Sequence, residues 1–360
     1  MTTLNDEHFY EKLQSLLKQL PWYVEEYIDY KSRKLSPASL LNYAHDYKIF
    51  FEWLVHEGFH DGPIKDIPLD VLNQLTVQQV ENFLRYLSLR LINKPITVNR
   101  KLSALKSLFN YLQNIAETPE LEPYISRNVM AKIEFNDVSE SMETIANKLE
   151  GKILFGDEYE QFRQFVEEGY GEMHKDNKKI ANFHQLNRER DTAIISLILG
   201  SGLRLSEVVQ LDVDDIDFQK CCVRVIRKGH KEQYVYFSKQ AMKDLKRYLA
   251  IREERYQVDK TNKALFVSAP MGPKGTSRRL SARAIEKLVE KYAKAFGKPS
   301  LSVHKLRHSF ATRYHAQIND VPKLRRQLGH ESIQTTMIYT HIKNDDLKSA
   351  VDRLDMPDEE

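Results

Sequence analysis

The chain has 360 residues, of which 41% are hydrophobic and 29% charged, with a formal net charge of +3 and a mean hydropathy of -0.54. These values suit a water-soluble globular protein of about two domains, each able to bury its own core. No apolar run is long enough to cross a bilayer, and the polar, acidic stretch from Met1 to Tyr10 reads as neither a signal nor a transit peptide.

The N-terminal part reads as helical. Ser36 and Pro37 form an N-cap and first helical position, Leu40, Tyr43, Tyr47, Phe50 and Leu54 recur at helical spacing, and Gly58 marks a stop. Thr76 with Gln79 predicts a capping box ahead of Val80, Phe83 and Leu84. A further helix from about Thr97 to Leu112 has two unlike faces: Leu102, Leu105 and Phe109 on one, Arg100, Ser103 and Ser107 on the other. A cation flanked by hydroxyls can hydrogen-bond phosphate oxygens, so Arg100, Lys101, Ser103 and Ser107 are candidate DNA-binding residues.

The Asn/Asp/Glu-rich region from about Ile115 to Glu150 is expected to contain a linker, and Gly169 to Asn187 to form a second irregular stretch. Ile194 to Leu199 predicts a helix ending at Gly200-Ser201-Gly202, with a short helix starting near Arg204. Cys222 to Ile226 and Tyr234 to Phe237 read as strands joined by a turn at Lys228-Gly229-His230-Lys231, and Leu265 to Ser268 is a candidate third strand. Cys221 and Cys222 are the only cysteines. Neighbours form neither an ordinary disulfide nor a chelating zinc pair, so a reducing cytoplasm is expected. After Ser281 the chain is expected to return to short helices.

Charge is distributed unevenly. Asn82 to Ala116 holds six basic residues and no acidic one, and Met271 to His330 is also strongly basic, whereas Lys132 to Glu168 and the tail after Lys343 lean acidic. Separate basic stretches in both halves of a near-neutral chain suit a polyanion held by two domains.

Five strings carry more specific chemistry: Gly202-Leu203-Arg204-Leu205-Ser206-Glu207, Lys228-Gly229, His304-Lys305-Leu306-Arg307-His308, Leu328-Gly329-His330 and Tyr339-Thr340-His341. In this order and spacing they resemble the tyrosine site-specific recombinases, the family of phage integrases and Xer chromosome-dimer resolvases. The match runs from about Asp191 to Thr340, with looser agreement in the N-terminal helices. The length around Asp137 to Arg188, together with Pro21-Trp22-Tyr23-Val24, looks most like the stand-alone Xer branch of streptococci and lactococci. Where many relatives have glycine after the His-x-x-Arg-His helix, this chain has Asn319, a residue that tolerates the left-handed conformation.

The resemblance implies Tyr339 as nucleophile, Arg204 and Arg307 as a guanidinium fork on the phosphate, His304 and His330 as its further donors with one of them assisting proton removal from Tyr339, and Lys228 as general acid for the leaving 5′ oxygen. Glu207 would orient the site, while His308 and His341 are expected to be structural or supporting. A phosphotyrosine linkage conserves the energy of the broken bond, so no ATP is needed, and no Walker-type loop occurs. His304 and His308 stand four apart as metal pairs do, but Lys305 occupies the place where the zincin pattern needs Glu, so neither metal nor other cofactor is expected.

The implied fold is mainly α with a small antiparallel sheet, arranged as a two-domain clamp on duplex DNA. The expected division is an N-terminal helical core-binding domain over 1–135, a linker region over 136–155, and a catalytic domain over 156–360. Leu347, Ala350, Val351 and Leu354 give a C-terminal helix an apolar stripe that either covers its own domain or, as the resemblance implies, docks on a neighbouring protomer. The implied partners are DNA with inverted half-sites, three further copies in a tetramer on two sites, and the cell-division DNA translocase, with no membrane insertion. The implied role is resolution of chromosome dimers. A phage or conjugative-transposon integrase shares every one of these motifs, and a non-catalytic DNA-binding protein is the alternative from another class.

Overall fold

The computed structural model describes residues 4–138, 140–227, 231–270 and 275–342. The chain forms two compact units, Met1–Ser139 and Glu140–Glu360.

The first unit is all helical around an aromatic core. Its main helices are Trp22–Ser32, Pro37–His56, Val77–Leu89 and Pro95–Asn114. The local signals hold: Ser36 accepts from the Ser39 amide, Gly58 takes a left-handed φ of 78°, and Thr76 and Gln79 close a reciprocal capping box. Tyr23, Tyr27, Tyr47, Phe50, Phe51, Phe83 and Phe109 are essentially fully buried. The buried phenols keep hydrogen-bond partners, Tyr23 donating to the Ile67 carbonyl at 3.1 Å and Tyr47 to that of Ala104 at 3.0 Å. That satisfies the usual condition for burying a hydroxyl.

On the polar face of Pro95–Asn114, two of the candidate DNA-contact residues also have partners within this unit. Lys101 is buried, and its ammonium lies 2.8 Å from Asp46, itself buried. Ser107 accepts the Tyr27 hydroxyl at 2.7 Å. Arg100 also pairs with Asp46 but keeps about half its side chain exposed, and Ser103 is exposed. Helical spacing alone cannot tell an outward cation from one that reaches a buried carboxylate on a neighbouring helix.

In the second unit the long helix Lys178–Ser201 runs through the core, against Lys239–Arg255, Ala282–Ala295 and Val303–Ile318. Strands Ile216–Asp217 (β1), Cys222–Arg227 (β2) and Lys231–Tyr236 (β3) form an antiparallel sheet in the order β1-β2-β3. Val223 faces Val235, and Arg227 faces Lys231 at the hairpin end.

Three expectations change here. Most of the stretch expected to be irregular, Gly169 to Asn187, is helical, in Tyr170–Met173 and the start of Lys178–Ser201. The apolar period is broken because polar residues face inward and are satisfied there: His184 bonds the Val166 carbonyl at 2.8 Å and Asn187 donates to that of Phe183 at 2.8 Å. The third strand is Ile216–Asp217 rather than Leu265 to Ser268. The Leu265 carbonyl instead accepts from the Tyr248 hydroxyl and the Arg252 guanidinium, each at 3.1 Å. Finally, part of the expected linker belongs to the second unit: Met142–Glu150 is a helix capped by Ser141. Ala146, Leu149 and Ile153 are buried with Phe310, Leu328 and Tyr339.

Asp46 anchors two cations in the first unit, so Asp46→Ala leaves the buried Lys101 ammonium without its counter-charge. The expected loss is about 3 kcal/mol. Lys101→Met should cost less, since Asp46 keeps Arg100. Thermal melts of the two variants check the ranking, and melting temperatures equal to that of the wild type in both would remove the pair from the unit's stability.

Candidate active site

Arg204, Arg307, His304, His330 and Tyr339 come together in the second unit, built on two helix C-termini. Lys178–Ser201 ends at Gly202, in the left-handed region at φ 71°. Val321–Leu328 ends at Gly329, also left-handed at φ 61°. A helix end leaves carbonyls without intrahelical partners and carries partial negative charge. Here those carbonyls take guanidiniums. Arg307, buried on Val303–Ile318, donates to the carbonyls of Gly202 and Leu328. Arg204 reaches the Gly329 carbonyl at 2.9 Å. Asn319, left-handed at φ 48°, closes the helix that carries His304 and Arg307, as its side chain permits.

Glu207 holds the cations in register. Its carboxylate is buried and accepts from the Arg204 amide and guanidinium, both at 2.9 Å. It also accepts Nε of Arg227 at 3.0 Å. No sequence motif marks Arg227. It ends β2 and donates to Gln233 at 2.7 Å and to the Gln327 carbonyl at 3.2 Å. A Cβ on Gly329 would fall 1.5 Å from the Arg227 guanidinium, so the bare glycine lets that side chain keep its present position. The one available signal was its position, next to Lys228 in a hairpin that approaches the site. Lys228 itself lies outside the described residues, as does the C-terminal stripe of Leu347, Ala350, Val351 and Leu354.

Among the described residues the hydrogen-bond partners of Arg307 are two carbonyls and an imidazole, none of them a formal charge: His330 Nε2 accepts from Nη2 at 3.1 Å. Burial, and then the Arg204 charge, lower the Arg307 guanidinium to about 10. His330 is pushed down to about 4 by burial and then by Arg307, Arg204 and Arg227. Its Nδ1 faces the Thr336 hydroxyl at 3.0 Å. His304 is lowered by burial and the Arg307 charge. A cluster of mutually repelling cations with depressed imidazoles is the electrostatic form of an anion site.

Tyr339 lies on the single turn Ile338–His341 and is only 3% exposed. Burial raises its phenol to about 12, with the Arg307 charge acting in the opposite direction. Its hydroxyl lies 2.8 Å from His308 Nδ1. His308, expected to be structural or supporting, is therefore in direct contact with the phenol. Its ring also meets that of His304 edge-on, with centroids 4.4 Å apart.

The depressed imidazoles predict a pH response of the fold. In the unfolded chain His308 and His330 protonate near 6.5, but in the folded chain only near 3 and 4. The unfolded state therefore binds more protons as pH falls below about 6.5, and stability present above that value is lost on the way to about 4. Melting temperature of the second unit should fall over this window. The fall should be shallower in His330→Asn, and equal slopes in both proteins would contradict neutral burial of His330.

Comparison with known proteins places this geometry. Residues 172–345 match the Phage integrase family and residues 24–114 the Phage integrase N-terminal SAM-like domain. The chain is 40% identical over 357 residues to Tyrosine recombinase XerS of Streptococcus uberis, covering 96% of this chain and 98% of that protein. It is 39% identical over the same length to XerS of Streptococcus mutans, with the same coverage. Among solved structures it is similar to the XerH site-specific recombinase in its post-cleavage complex on a palindromic difH substrate. The TM-score is 0.63, at 24% identity, over 91% of this chain and 82% of that one. A lambda integrase dimer bound to a COC′ core site aligns with TM-score 0.57 at 17% identity, over 89% and 95% of the two chains. Those structures share the fold, and the sequence relatives settle the family. The chain belongs to the Xer-type tyrosine recombinases of the phage integrase family, enzymes that cut and rejoin DNA through a tyrosine.

Proposed function

We propose that Arg204, His304, Arg307 and His330 receive one phosphodiester of duplex DNA and that Tyr339 attacks its phosphorus. The observation that carries this reading is the buried Arg307 guanidinium, which among the described residues bonds only to neutral groups and is set beside a buried phenol. A phosphate supplies the charge that the site lacks. Attack adds negative charge to the non-bridging oxygens, and two guanidiniums pinned by carbonyls and Glu207 stabilise it without reorganising. An arriving phosphate raises the depressed imidazoles toward their charged form, so His330 and His304 become donors to the same oxygens. Lys228 protonates the departing 5′ oxygen, and a 3′-phosphotyrosyl linkage holds the strand until a new 5′-hydroxyl reverses the step.

Kinship to XerS over nearly the whole chain supports a chromosomal role, in which the protein resolves chromosome dimers in the cytoplasm, four copies acting on two sites with inverted half-sites. The cell-division DNA translocase is the expected activator. Arg100 and Ser103, which keep exposed side chains on Pro95–Asn114, contact the DNA backbone.

The test is a nicked suicide duplex carrying candidate inverted half-sites, on which the departing fragment diffuses away and the covalent adduct accumulates. Wild-type protein should form a 3′-phosphotyrosyl adduct, and Tyr339→Phe should bind the same DNA and form none. An adduct persisting in that variant would move the nucleophile to another tyrosine.

Arg204→Lys and Arg307→Lys should each slow adduct formation by about 10²–10³-fold, because an ammonium keeps the charge but not the planar fork. Single-turnover rates measure this. A near-normal rate in either variant takes that arginine off the phosphate.

A further inference from the structure

The phenol of Tyr339 must lose its proton as it attacks, and one neighbour is already placed to take it. The Tyr339 hydroxyl lies 2.8 Å from His308 Nδ1, within the ordinary range of a donor–acceptor contact. Among the described residues no hydrogen bond joins Tyr339 to His304 or His330; the His330 imidazole is engaged on both sides, by Arg307 at Nε2 and by Thr336 at Nδ1.

The direction of the contact follows from its surroundings. The phenol is raised to about 12 and so keeps its proton. His308 is lowered to about 3, by burial first and then by His304, Lys305, Arg307 and His330, and so is neutral. The hydroxyl therefore donates, and the Nδ1 lone pair accepts. Helix geometry fixes the imidazole. His308 sits on Val303–Ile318, one turn beyond His304 and next to Arg307. The following residue, Ser309, ties that helix down by accepting the Leu154 amide at 2.9 Å and, through its carbonyl, the Tyr159 hydroxyl at 2.9 Å.

We propose that His308 is a catalytic residue, the acceptor of the Tyr339 proton in strand cleavage and its donor in religation. In cleavage the Tyr339 Oη–phosphorus bond forms while the hydroxyl proton passes to His308 Nδ1. The phosphorus–O5′ bond breaks, and that oxygen takes a proton from Lys228. In religation the incoming 5′-hydroxyl gives its proton to Lys228, the phosphotyrosyl bond breaks, and His308 returns its proton to the phenolate. Protons balance in each direction. The resting imidazole is a weak base, and two changes bring donor and acceptor together: a bound phosphate raises His308, and bond formation to phosphorus acidifies the phenol.

This inference rests on the assignment of Tyr339 as nucleophile, and the test separates the two. Adduct formation is followed in single turnover on a suicide duplex with a bridging 5′-phosphorothiolate, whose thiolate leaves without a proton. The proteins are wild type, Tyr339→Phe, Lys228→Ala, His308→Ala and His308→Asn. Asparagine sets a carboxamide oxygen near the Nδ1 position, so it accepts a hydrogen bond but takes no proton.

Wild type should react, Tyr339→Phe should not, and sulfur should restore Lys228→Ala. Both His308 variants should remain about 10²-fold slow on the sulfur substrate while binding half-site DNA normally. Their rates should climb more steeply with pH than the wild-type rate, as solvent base replaces the imidazole. Added imidazole should accelerate His308→Ala, which reads out the role even if that variant is less stable. A wild-type rate in His308→Asn, or a pH slope parallel to wild type, overturns proton transfer and leaves His308 as a hydrogen-bond anchor. Absence of adduct from the wild type would overturn the nucleophile assignment and this proposal with it.

Discussion

Two helix ends and one carboxylate determine the geometry of this site. The guanidiniums of Arg204, Arg307 and Arg227 all bond to carbonyls released by the C-termini of Lys178–Ser201 and Val321–Leu328, and two of them share Glu207. Each requirement serves another. The carbonyls are free because the helices stop, and the helices stop cleanly because glycine adopts the left-handed turn at 202 and 329. The lack of a side chain at Gly329 also admits Arg227. Three cations in so small a volume repel one another, and a single buried carboxylate only partly offsets them. On the proposed reading, the remaining positive charge is what an incoming phosphate meets.

The same charge acts on the Tyr339 phenol. A phenol in an apolar core is a poor nucleophile, and Tyr339 shares its cluster with Leu149, Ile153, Phe310, Leu328 and Ile342. Burial and cation pull its acidity in opposite directions, with burial the larger effect in the DNA-free protein. In the DNA-free protein, packing and the His308 contact hold the phenol in its protonated form. On the proposed reading, the substrate phosphate completes the charge distribution that lets His308 take its proton. An enzyme that conserves a covalent protein–DNA bond gains from this order of events, since an activated tyrosine without its DNA has nothing useful to attack.

The legibility of the sequence varied with the kind of signal. Caps and turns were readable because each depends on one or two residues: Ser36 with Pro37, Thr76 with Gln79, Gly202, and Asn319 in a left-handed turn. The clustering of Arg204, Arg307, His304, His330 and Tyr339 was legible as motifs, through family resemblance rather than through periodicity. What was missed depended on contacts distant in sequence. Lys101 and Ser107 read as part of a phosphate-facing stripe, and their contacts with Asp46 and Tyr27 on other helices left no local signal. His184 and Asn187 broke an apolar pattern while facing the core, so the start of the helix Lys178–Ser201 read as irregular.

Arg227 and His308 show why sequence reasoning undercounted the site. Each adjoins a recognised motif residue, Arg227 before Lys228 and His308 after Arg307, and in a motif the neighbour is easily read as framework. Their roles come from direction rather than position. The side chain of Arg227 leaves β2 toward Glu207 and the end of Val321–Leu328, which ties the root of the Lys228 hairpin to the same carboxylate that holds Arg204. His308 lies four residues from His304 on one helix, so both imidazoles project from the same face, and only the second meets the phenol. A motif marks the groups that touch the phosphate. The groups that hold those side chains, or exchange protons with them, are identified by following each hydrogen bond outward from the motif to its next partner.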